Sequence, residues 1–291
     1  MMSLKKQRIE LFSPAKINLF LKVIAKRSDR YHDLYSLFQT VSLGDTLSIQ
    51  VNNKVKDQLF INTPDLPTND DNLVIQALHR FRQKKPFPYH FDICLKKNIP
   101  WQAGLGGGSG NAASILWGVN QLLHEPVPVE TLQKWSETLG ADVPFFFSKG
   151  TALCEGRGEK VTPLPALSKH KKLWIIKPKN IALSTPKVFD QFKLNTIDQT
   201  STFSLLQAVQ KGDFMSSAIN DLELAAFQLR PELKDIKKIL SVMGFNPVTM
   251  TGSGASFFCM GNIELTSHPL FDAYPVYFIN RKLNNWYDPK N

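Results

Sequence analysis

The stretch GLGGGSGNAA, residues 104–113, is the part of the sequence that decides the fold. Glycine occupies five of the seven positions from 104 to 110, and the apolar helical pattern NAASILWGVNQLL follows. Because glycine has no Cβ atom, such a loop curls closely around an oxyanion, and the following helix adds unpaired N–H groups and the positive end of its dipole. A flexible turn is the alternative, but it gives no reason for so many glycines before a helix. We therefore predict a phosphate-binding loop here.

Three other kinds of phosphate-binding protein fit this sequence less well. A Walker loop requires Gly-Lys followed by Ser or Thr, and the sequence contains no Gly-Lys pair. The dinucleotide-binding fingerprint is met only in its looser form, by Gly108, Gly110 and Ala113, and the strand pattern YHFDICL ends well before the loop. The HRD and DFG signatures of protein kinases are absent from the sequence. The sequence thus excludes a P-loop NTPase and disfavours a Rossmann domain.

Length and local patterns predict an α+β protein with two lobes. The 291 residues, 43% of them hydrophobic, are enough for two packed lobes. The segment TPLPALSKHKK, rich in proline and lysine, precedes a new strand pattern, LWIIKP, so we predict an N-terminal domain over residues 1–165 and a C-terminal domain over residues 166–291. The strand patterns of the first domain are IELFS, INLFLKV, LFQTVSL, TLSIQV and YHFDICL, and its helix patterns are NLVIQALHRFRQ and NAASILWGVNQLL.

Charge and cysteine content bear on partners and location. The apolar runs are far shorter than the roughly 20 residues of a membrane helix, and no purely apolar signal segment follows the N-terminal basic residues, which predicts a cytoplasmic protein. The net charge of +10 suits an anionic small molecule, but the basic residues are scattered, so we expect neither nucleic acid nor a membrane as partner. Cys94, Cys154 and Cys259 form no metal or disulfide pattern and are predicted to be buried thiols.

A strand near the N-terminus carries the first candidate catalytic residue. In SPAKINLFLKV, period two places Ile17, Leu19 and Leu21 on one face and Lys16 and Asn18 on the other. Their side chains would be roughly 7 Å apart on a rigid strand, close enough to meet one substrate group. A solvent-facing lysine on an amphipathic strand is the alternative, and this pattern alone favours it.

The segment GADVPFFF places Asp142 among apolar residues. A carboxylate in such surroundings loses hydration and needs a partner, and Lys16 is the candidate. The pair would accept or align the proton of an alcohol that attacks the γ-phosphate of a nucleotide. A turn aspartate before Pro144 is the alternative. Farther on, TMTGSGASFFCM contains Gly252 and Gly254, which permit close backbone approach but also occur in any tight connection.

Taken together, these segments resemble the GHMP kinase family, which has an N-terminal strand, a central glycine-rich phosphate loop and a C-terminal glycine loop in this order. PAKINLFL, DRYHDL, GLGGGSGNAA, GADVPFF, TPKVF and NDLE resemble, within that family, the kinases that act on 4-diphosphocytidyl-2-C-methyl-D-erythritol in the non-mevalonate isoprenoid pathway. The resemblance covers nearly the whole chain. It implies a two-lobed fold, with an N-lobe like ribosomal protein S5 domain 2, a ferredoxin-like C-lobe and the active site between them.

The resemblance also implies a role for individual residues on the side of the alcohol substrate. Asp142 would be the general base, and Lys16 would hold its charge and orient the 2-hydroxyl of the substrate. Aromatic residues would form the cytidine pocket, because base stacking contributes on the order of 1 to 3 kcal/mol per base. The substrate-binding residues would be Asn18, Tyr31, His32, Thr185 and Phe189.

On the nucleotide side, the resemblance implies ATP as phosphoryl donor and Mg²⁺ as its companion ion, with metal ligands that the sequence does not name. The ATP-binding residues would be Asn72, Lys96, Gly104, Leu105, Gly106, Gly107, Gly108, Ser109 and Gly110. One position departs from the family, which usually reads GGGSSNAA: Gly110 stands where the second serine is expected. That serine would contact phosphate or a magnesium-bound water, so Ser109 or water would replace it.

Two alternatives stay open at this point. One is a GHMP kinase for another alcohol, of the homoserine or mevalonate type, which the pocket of Tyr31, His32 and Phe189 would distinguish. The other is a catalytically inactive binding protein on the same fold, which would have no use for a general base. The expected partner is the small cytidine substrate, and the expected state is a monomer or a weak homodimer.

Overall fold

Two β-sheets organise the chain, one in each lobe. The computed structural model describes residues 7–124, 127–168, 172–194, 200–265 and 268–289. The first sheet has six strands, and the second has four in the order β10-β7-β9-β8. The strands are β1 (Arg8–Lys26), β2 (His32–Asn52), β3 (Gln58–Ile61), β4 (His90–Lys96), β5 (Thr151–Gly156), β6 (Lys160–Pro163), β7 (Leu173–Pro178), β8 (Val248–Met250), β9 (Phe257–Met260) and β10 (Phe271–Val276). The helices are α1 (Leu73–Lys84), α2 (Gly107–Leu122), α3 (Val129–Ser136), α4 (Thr185–Gln191), α5 (Thr202–Gln210), α6 (Phe214–Ser217), α7 (Glu223–Leu229) and α8 (Glu232–Val242), with a short 3-10 helix at Pro144–Phe147. The prediction of an α+β protein is confirmed.

The first sheet is built around the long strand β2. β1 pairs antiparallel with β2 over nearly its whole length, and β4 and β5 pair with separate segments of β2. The sequence patterns predicted four short strands where the structure has two long ones. The reason lies in register shifts between Pro14 and Ala15, Asn18 and Phe20, and Val23 and Ala25. Such bulges bend a strand without ending it, so the breaks in alternation are local irregularities within β1.

Three apolar clusters fill the space around the sheets. The first lies between the first sheet and helices α1, α2 and α3, and the second between the second sheet and helices α4, α7 and α8. The third joins the lobes, because Ile17, Leu19 and Phe20 of β1 pack with Ile175 of β7 and Phe258 of β9. Since burial of a large aliphatic or aromatic side chain contributes about 1.5 to 3 kcal/mol, this shared cluster stabilises the relative position of the lobes.

The last described residues return to the first lobe. After β10, Ile279, Trp286 and Tyr287 enter the apolar cluster of the first lobe. Arg281 donates from Nε to the carbonyl oxygen of Ser148 at 2.7 Å, and Trp286 stacks on Trp117 with ring centroids 5.4 Å apart. The C-terminal segment therefore completes the core that the N-terminal half begins.

Two further expectations concern the surface. Cys154 and Cys259 are buried, and burial raises the pKa of both thiols, but Cys94 is exposed on β4. The prediction of three buried cysteines was thus wrong at Cys94, whose side chain points away from the core on the alternating strand. Within the described ranges, no helix has the length and hydropathy needed to cross a bilayer.

Candidate active site

The predicted functional segments meet at one large cavity between the lobes. Its volume is about 1340 Å³, more than a pocket for one drug-sized ligand, so it has room for two substrates side by side. The cavity is lined by residues of the N-terminal strand, the glycine-rich loop, the turn at Asp142 and the first turn of α4. The predicted site residues on its wall are Lys16, Asn18, Tyr31, His32, Asn72, Gly104, Leu105, Gly106, Gly107, Gly108, Ser109, Asp142, Thr185 and Phe189.

Lys16 is held in one orientation by contacts on several sides. Its side chain is only 4% exposed, and Nζ donates a 2.8 Å hydrogen bond to Oδ1 of Asn18 and lies 3.3 Å from Oδ2 of Asp142. The ammonium also sits 4.4 Å from the ring centroid of Phe38, a cation–π contact. Lys16 is therefore a buried positive charge aimed at the cavity, not a solvent-facing residue of an amphipathic strand.

Asn18 holds this arrangement from the strand side. Its Nδ2 donates to Oγ of Ser36 at 2.8 Å, and its Oδ1 accepts from both Lys16 and the hydroxyl of Thr251. An amide is suited to this position because its oxygen accepts and its nitrogen donates at the same time. Asn18 is 1% exposed, so its first role in the structure is to orient Lys16.

Asp142 reaches the cavity from a turn directly before the 3-10 helix. The following residues Val143, Phe145 and Phe146 are fully buried and anchor the turn, while the carboxylate itself is 32% exposed. Asp142 caps no helix, because the 3-10 helix begins after Val143 and has no side-chain cap. The carboxylate is thus desolvated enough to need Lys16 and accessible enough to meet a substrate hydroxyl.

Backbone packing fixes the shape of the glycine-rich loop. Gly104 and Gly106 have φ angles of +73° and +66°, a region that L side chains rarely adopt. A Cβ atom on Gly104 would lie 2.2 Å from the carbonyl oxygen of Thr251, and one on Gly106 would lie 2.8 Å from Cγ of Lys16. Leu105 accepts a 2.9 Å hydrogen bond from the backbone N–H of Lys16. The loop therefore contacts β1 directly at Lys16, and glycine is required where it does.

Helix α2 begins inside this loop, at Gly107, with Gly106 as its N-cap in the left-handed conformation. The first N–H groups of an α-helix have no partner within the helix, and the helix dipole favours an anion at this end. No acidic residue occupies the first turn of α2. The 16-residue helix thus presents the start of its backbone to the cavity, as the sequence pattern predicted.

Gly110 is the position at which the loop departs from the family pattern. It is buried and lies outside the cavity lining, and a Cβ atom there would be 2.9 Å from the carbonyl oxygen of Pro14 and 3.1 Å from Oγ of Ser13. A side chain at this position would therefore point into β1 and meet backbone atoms. Ser109 faces the cavity instead.

Of the two neighbouring lysines Lys96 and Lys97, one points to solvent and the other lines the cavity. Lys96 is exposed at the end of β4 and does not line the cavity, whereas Lys97 does. Nζ of Lys97 forms an ion pair with the fully buried carboxylate of Asp45 and donates to Oδ1 of Asn111 at 3.1 Å. It would lie 3.2 Å from a Cβ atom on Gly107. Sequence reasoning missed Lys97, although the Lys96–Lys97 pair was visible as a signal.

The C-terminal glycine segment closes the cavity from the second lobe. The hydroxyl of Thr251 contacts both Asn18 and the carbonyl oxygen of Gly104, and the hydroxyls of Ser253 and Thr185 are 2.8 Å apart. Asn220 donates to the carbonyl oxygens of residues 250 and 252 and so fixes the segment. Sequence reasoning recognised Gly252 and Gly254 but missed the hydroxyl residues next to them, Thr251 and Ser253.

Aromatic side chains form the other end of the cavity. Tyr31 is 57% exposed, which is high for a tyrosine, and His32 stacks on Phe189 with ring centroids 5.1 Å apart. Burial lowers the pKa of His32, and the positive charge of Lys26 lowers it further. His32 is therefore neutral near pH 7 and has one nitrogen that donates and one that accepts. Aromatic faces and a neutral imidazole suit a planar base with a polar edge.

Metal ligands are sparse around the cavity. In the part of the chain that the structure describes, no group of three or more His, Cys, Asp or Glu residues is placed to hold a metal ion. Mg²⁺ in phosphoryl-transfer sites usually keeps several waters and binds through one or two carboxylates and the substrate phosphates. The hydroxyl of Ser109, on the cavity wall beside the start of α2, fits this sparse mode together with the substrate phosphates and water.

Comparison with known proteins gives a consistent result. The model of the GHMP kinases N terminal domain matches residues 72–150. A 4-diphosphocytidyl-2-C-methyl-D-erythritol kinase of Protochlamydia amoebophila is 50% identical to the chain, over 96% of this chain and 93% of that protein. A chloroplastic or chromoplastic kinase of the same name from Solanum lycopersicum is 39% identical, over 96% of this chain and 73% of that protein.

Solved structures extend the likeness to three dimensions. The crystal structure of a 4-(cytidine 5'-diphospho)-2C-methyl-D-erythritol kinase superposes with a TM-score of 0.76 at 31% identity, covering 93% of this chain and 99% of that one. A homoserine kinase from Cytophaga hutchinsonii superposes with a TM-score of 0.70 at 19% identity, covering 94% and 95%. The second likeness shows a common fold, and the predicted two-lobed architecture is confirmed.

Proposed function

This chain belongs to the 4-diphosphocytidyl-2-C-methyl-D-erythritol kinases of the GHMP kinase family, and we propose that it transfers the γ-phosphoryl group of ATP to the 2-hydroxyl of that alcohol. The observation that carries the proposal is the 3.3 Å pair of Lys16 and Asp142, which shares one cavity with the glycine-rich loop. A family member that had lost catalysis would not need to bury a lysine against an accessible carboxylate.

The pair provides a base and a fixed positive charge for the reacting hydroxyl. Asp142 accepts the hydroxyl proton as the alcohol oxygen attacks the γ-phosphorus, and the bond to the β-phosphate oxygen breaks to release ADP. Lys16 holds the carboxylate in position at 3.3 Å and stabilises negative charge near the transferred group. Because Asn18, Phe38 and Asp142 already fix the ammonium, little reorganisation is needed when the substrates bind.

The glycine-rich loop and the start of α2 receive the phosphates of ATP. Their unpaired N–H groups and the helix dipole favour negative charge, and Lys97 adds a positive charge from the adjacent wall. Mg²⁺ would accompany the nucleotide, held by its phosphates together with the hydroxyl of Ser109 and water, and would supply charge neutralisation during transfer. Asn72 also lines the cavity. It is the N-cap residue of α1, and its side-chain oxygen accepts a 2.9 Å hydrogen bond from the N–H of Val74.

The aromatic end of the cavity receives the cytidine. Tyr31 and Phe189 offer ring faces for the base, and His32 offers its nitrogens to the polar edge. Thr185, hydrogen-bonded to Ser253, lines the wall near the C-terminal glycine segment and would contact the methylerythritol end. The homoserine and mevalonate type substrates lack an aromatic base, so these rings favour the cytidine compound over them.

Asp142→Asn tests the mechanism. Loss of a general base typically lowers turnover by about 10²- to 10⁴-fold, and we expect kcat to fall within this range while ATP binding stays within about twofold of wild type, since Asp142 is not part of the phosphate loop. The measurement is ADP release with the cytidine alcohol, together with an ATP titration. Asp65→Asn, which removes an exposed carboxylate outside the cavity, is the control. Unchanged turnover in Asp142→Asn would contradict the mechanism.

A panel of alcohols tests the substrate. We expect ADP release from the wild-type protein with 4-diphosphocytidyl-2-C-methyl-D-erythritol and none with homoserine or mevalonate at the same concentration. Turnover of homoserine or mevalonate in preference to the cytidine compound would contradict the proposed function.

A further inference from the structure

Arg157 also lines the cavity, at the aromatic end beside Tyr31. It occupies the turn between β5 and β6, and its guanidinium carbon lies 5.2 Å from the ring centroid of Tyr31. A guanidinium over an aromatic face is a cation–π contact and also a flat stacking surface. One face of Tyr31 is therefore covered by Arg157, and the other face is available to a planar ligand.

The turn that carries Arg157 also touches the catalytic carboxylate. Gly158, the next residue, has a φ angle of +119°, and a Cβ atom there would lie 3.6 Å from Oδ1 of Asp142. The turn between β5 and β6 thus reaches Tyr31 through the guanidinium of Arg157 and approaches Asp142 through Gly158. A substrate that contacts both Tyr31 and Asp142 would run alongside this turn.

The charge of Arg157 is available to a ligand. Its Nε is 4.0 Å from Oε2 of Glu159, and within the described parts of the chain no carboxylate lies closer to the guanidinium. Glu159 is engaged instead by the backbone N–H of Arg157, at 2.7 Å. A hydrogen bond from the N–H of Gly158 to the carbonyl oxygen of Glu155, 3.1 Å long, closes the turn. The guanidinium is thus mounted on a fixed turn, and most of its five N–H donors have no partner among the residues that the structure describes.

We propose that Arg157 binds the diphosphate bridge of the cytidine substrate while its plane supports the outer face of Tyr31. This inference rests on the proposed function, because it takes the substrate to carry a base at one end, an alcohol at the other and two phosphates between them. Arginine suits the task because its planar fork donates two parallel hydrogen bonds to phosphate oxygens. Arg157 is accordingly a substrate-binding residue that favours ligands in which a diphosphate joins the base to the alcohol.

The test compares ligands with and without the diphosphate. Dissociation constants of CDP and of cytidine are measured calorimetrically for wild type, Arg157→Gln and Arg157→Lys, with Lys160→Gln as control. Lys160 is exposed on β6 of the same hairpin and outside the cavity, so its substitution makes the same change in net charge.

We expect Arg157→Gln to weaken CDP by about tenfold or more, the effect of one charge-assisted contact, and cytidine by only about two- to fivefold, the effect of the lost support of Tyr31. Arg157→Lys, which keeps the charge but not the planar fork, should fall between wild type and Arg157→Gln for CDP. Lys160→Gln should match wild type for both ligands, and the KM for ATP should not change in any variant.

Equal weakening of CDP and cytidine in Arg157→Gln, or no weakening of either, would overturn the inference. The unfolding temperature of each variant is measured as well. If Arg157→Gln loses affinity for CDP and also unfolds at a lower temperature, while Arg157→Lys keeps the affinity of wild type, the loss reflects damage to the turn and counts against phosphate binding. Turnover of the cytidine alcohol by the wild-type protein is measured in parallel. Wild-type turnover with CDP affinity unchanged in Arg157→Gln removes the inference and leaves the proposed function standing, whereas absent wild-type turnover removes the proposed function itself.

Discussion

The two ends of the cavity are built from different materials. The phosphate end consists mainly of glycine backbone in close contact with its neighbours. A Cβ atom would lie 2.2 Å from the carbonyl oxygen of Thr251 on Gly104, 2.8 Å from Cγ of Lys16 on Gly106 and 3.2 Å from Nζ of Lys97 on Gly107. The base end consists of side chains, chiefly the exposed Tyr31, the buried His32 and the half-buried Phe189. A backbone site is fixed by the fold and serves any nucleotide triphosphate, whereas a side-chain site can change without disturbing the core.

Under the proposed function, affinity for ATP and specificity for the alcohol would depend on separate parts of the molecule. A substitution at Gly104 should affect folding and ATP binding together, because the same backbone packs against Thr251 and lines the cavity. Substitution of the exposed Tyr31 should affect one substrate and leave stability intact. The three predictions below test this division, beginning with the largest effect.

Gly104→Ala should damage stability and ATP binding together. The alanine would adopt a left-handed φ and place Cβ 2.2 Å from the carbonyl oxygen of Thr251, so we expect the free energy of unfolding to fall by more than about 2 kcal/mol. Urea unfolding and an ATP titration provide the measurement.

Gly108→Ala is the matched control for stability. A Cβ atom at Gly108 would meet only Cδ1 of Leu73, at 3.5 Å, and the residue lies in the first turn of α2. Since alanine favours a helix over glycine by up to about 1 kcal/mol, the variant should be as stable as wild type or slightly more so. Equal destabilisation by both substitutions would mean that packing against Thr251 does not fix the loop.

Tyr31→Ala should raise the KM for the cytidine alcohol and leave the KM for ATP unchanged. Loss of one stacking face costs on the order of 1 to 3 kcal/mol, so the increase should be about tenfold or more. Stability should not change, because the ring is 57% exposed. Phe203→Ala removes an exposed ring outside the cavity and is the control. An unchanged KM for the alcohol would show that Tyr31 does not contact the base.

The pH dependence of binding at His32 should show the smallest effect. Burial and Lys26 lower the pKa of His32 below its usual 6.5, so the folded protein favours the neutral imidazole, and its contribution to stability is lost as the pH falls below 6.5. Protonation removes the acceptor nitrogen, and the KM for the cytidine alcohol at saturating ATP should therefore rise by a few fold in the acid range. His32→Gln should flatten this profile, and an identical profile in that variant would assign the titration to another group.

The sequence was most informative where chemistry demands a particular residue type. The glycines of residues 104–110 predicted a phosphate-binding loop, and the structure places residues 104–109 on the cavity wall. The apolar surroundings of Asp142 predicted a carboxylate that needs a cation, and Lys16 lies 3.3 Å away. Lys16 was harder to identify, since alternation along a strand does not distinguish a buried lysine from an exposed one. The structure resolves this because Asp142, Phe38 and Gly106 surround the side chain of Lys16.

Other features depend on contacts between distant segments and had no local signal. Thr251 meets Asn18 across 233 residues of sequence, and a threonine next to a glycine looks like any loop residue. Lys97 differs from Lys96 only in lying just beyond the end of β4, a boundary that patterns do not place to one residue. Arg157 gains its position from the turn between β5 and β6, whose approach to Asp142 and Tyr31 is purely a property of the tertiary fold.

The return of the C-terminal segment to the first lobe has a consequence for synthesis of the protein. Arg281 holds the carbonyl oxygens of Phe147 and Ser148, and Trp286 and Tyr287 cover the same region, which immediately follows Asp142. A chain that leaves the ribosome from its N-terminus therefore cannot finish this core until residue 287 has emerged. Folding of one lobe before the other is translated, the usual order for multidomain chains, would leave the turn at Asp142 without this support until residue 287 has emerged.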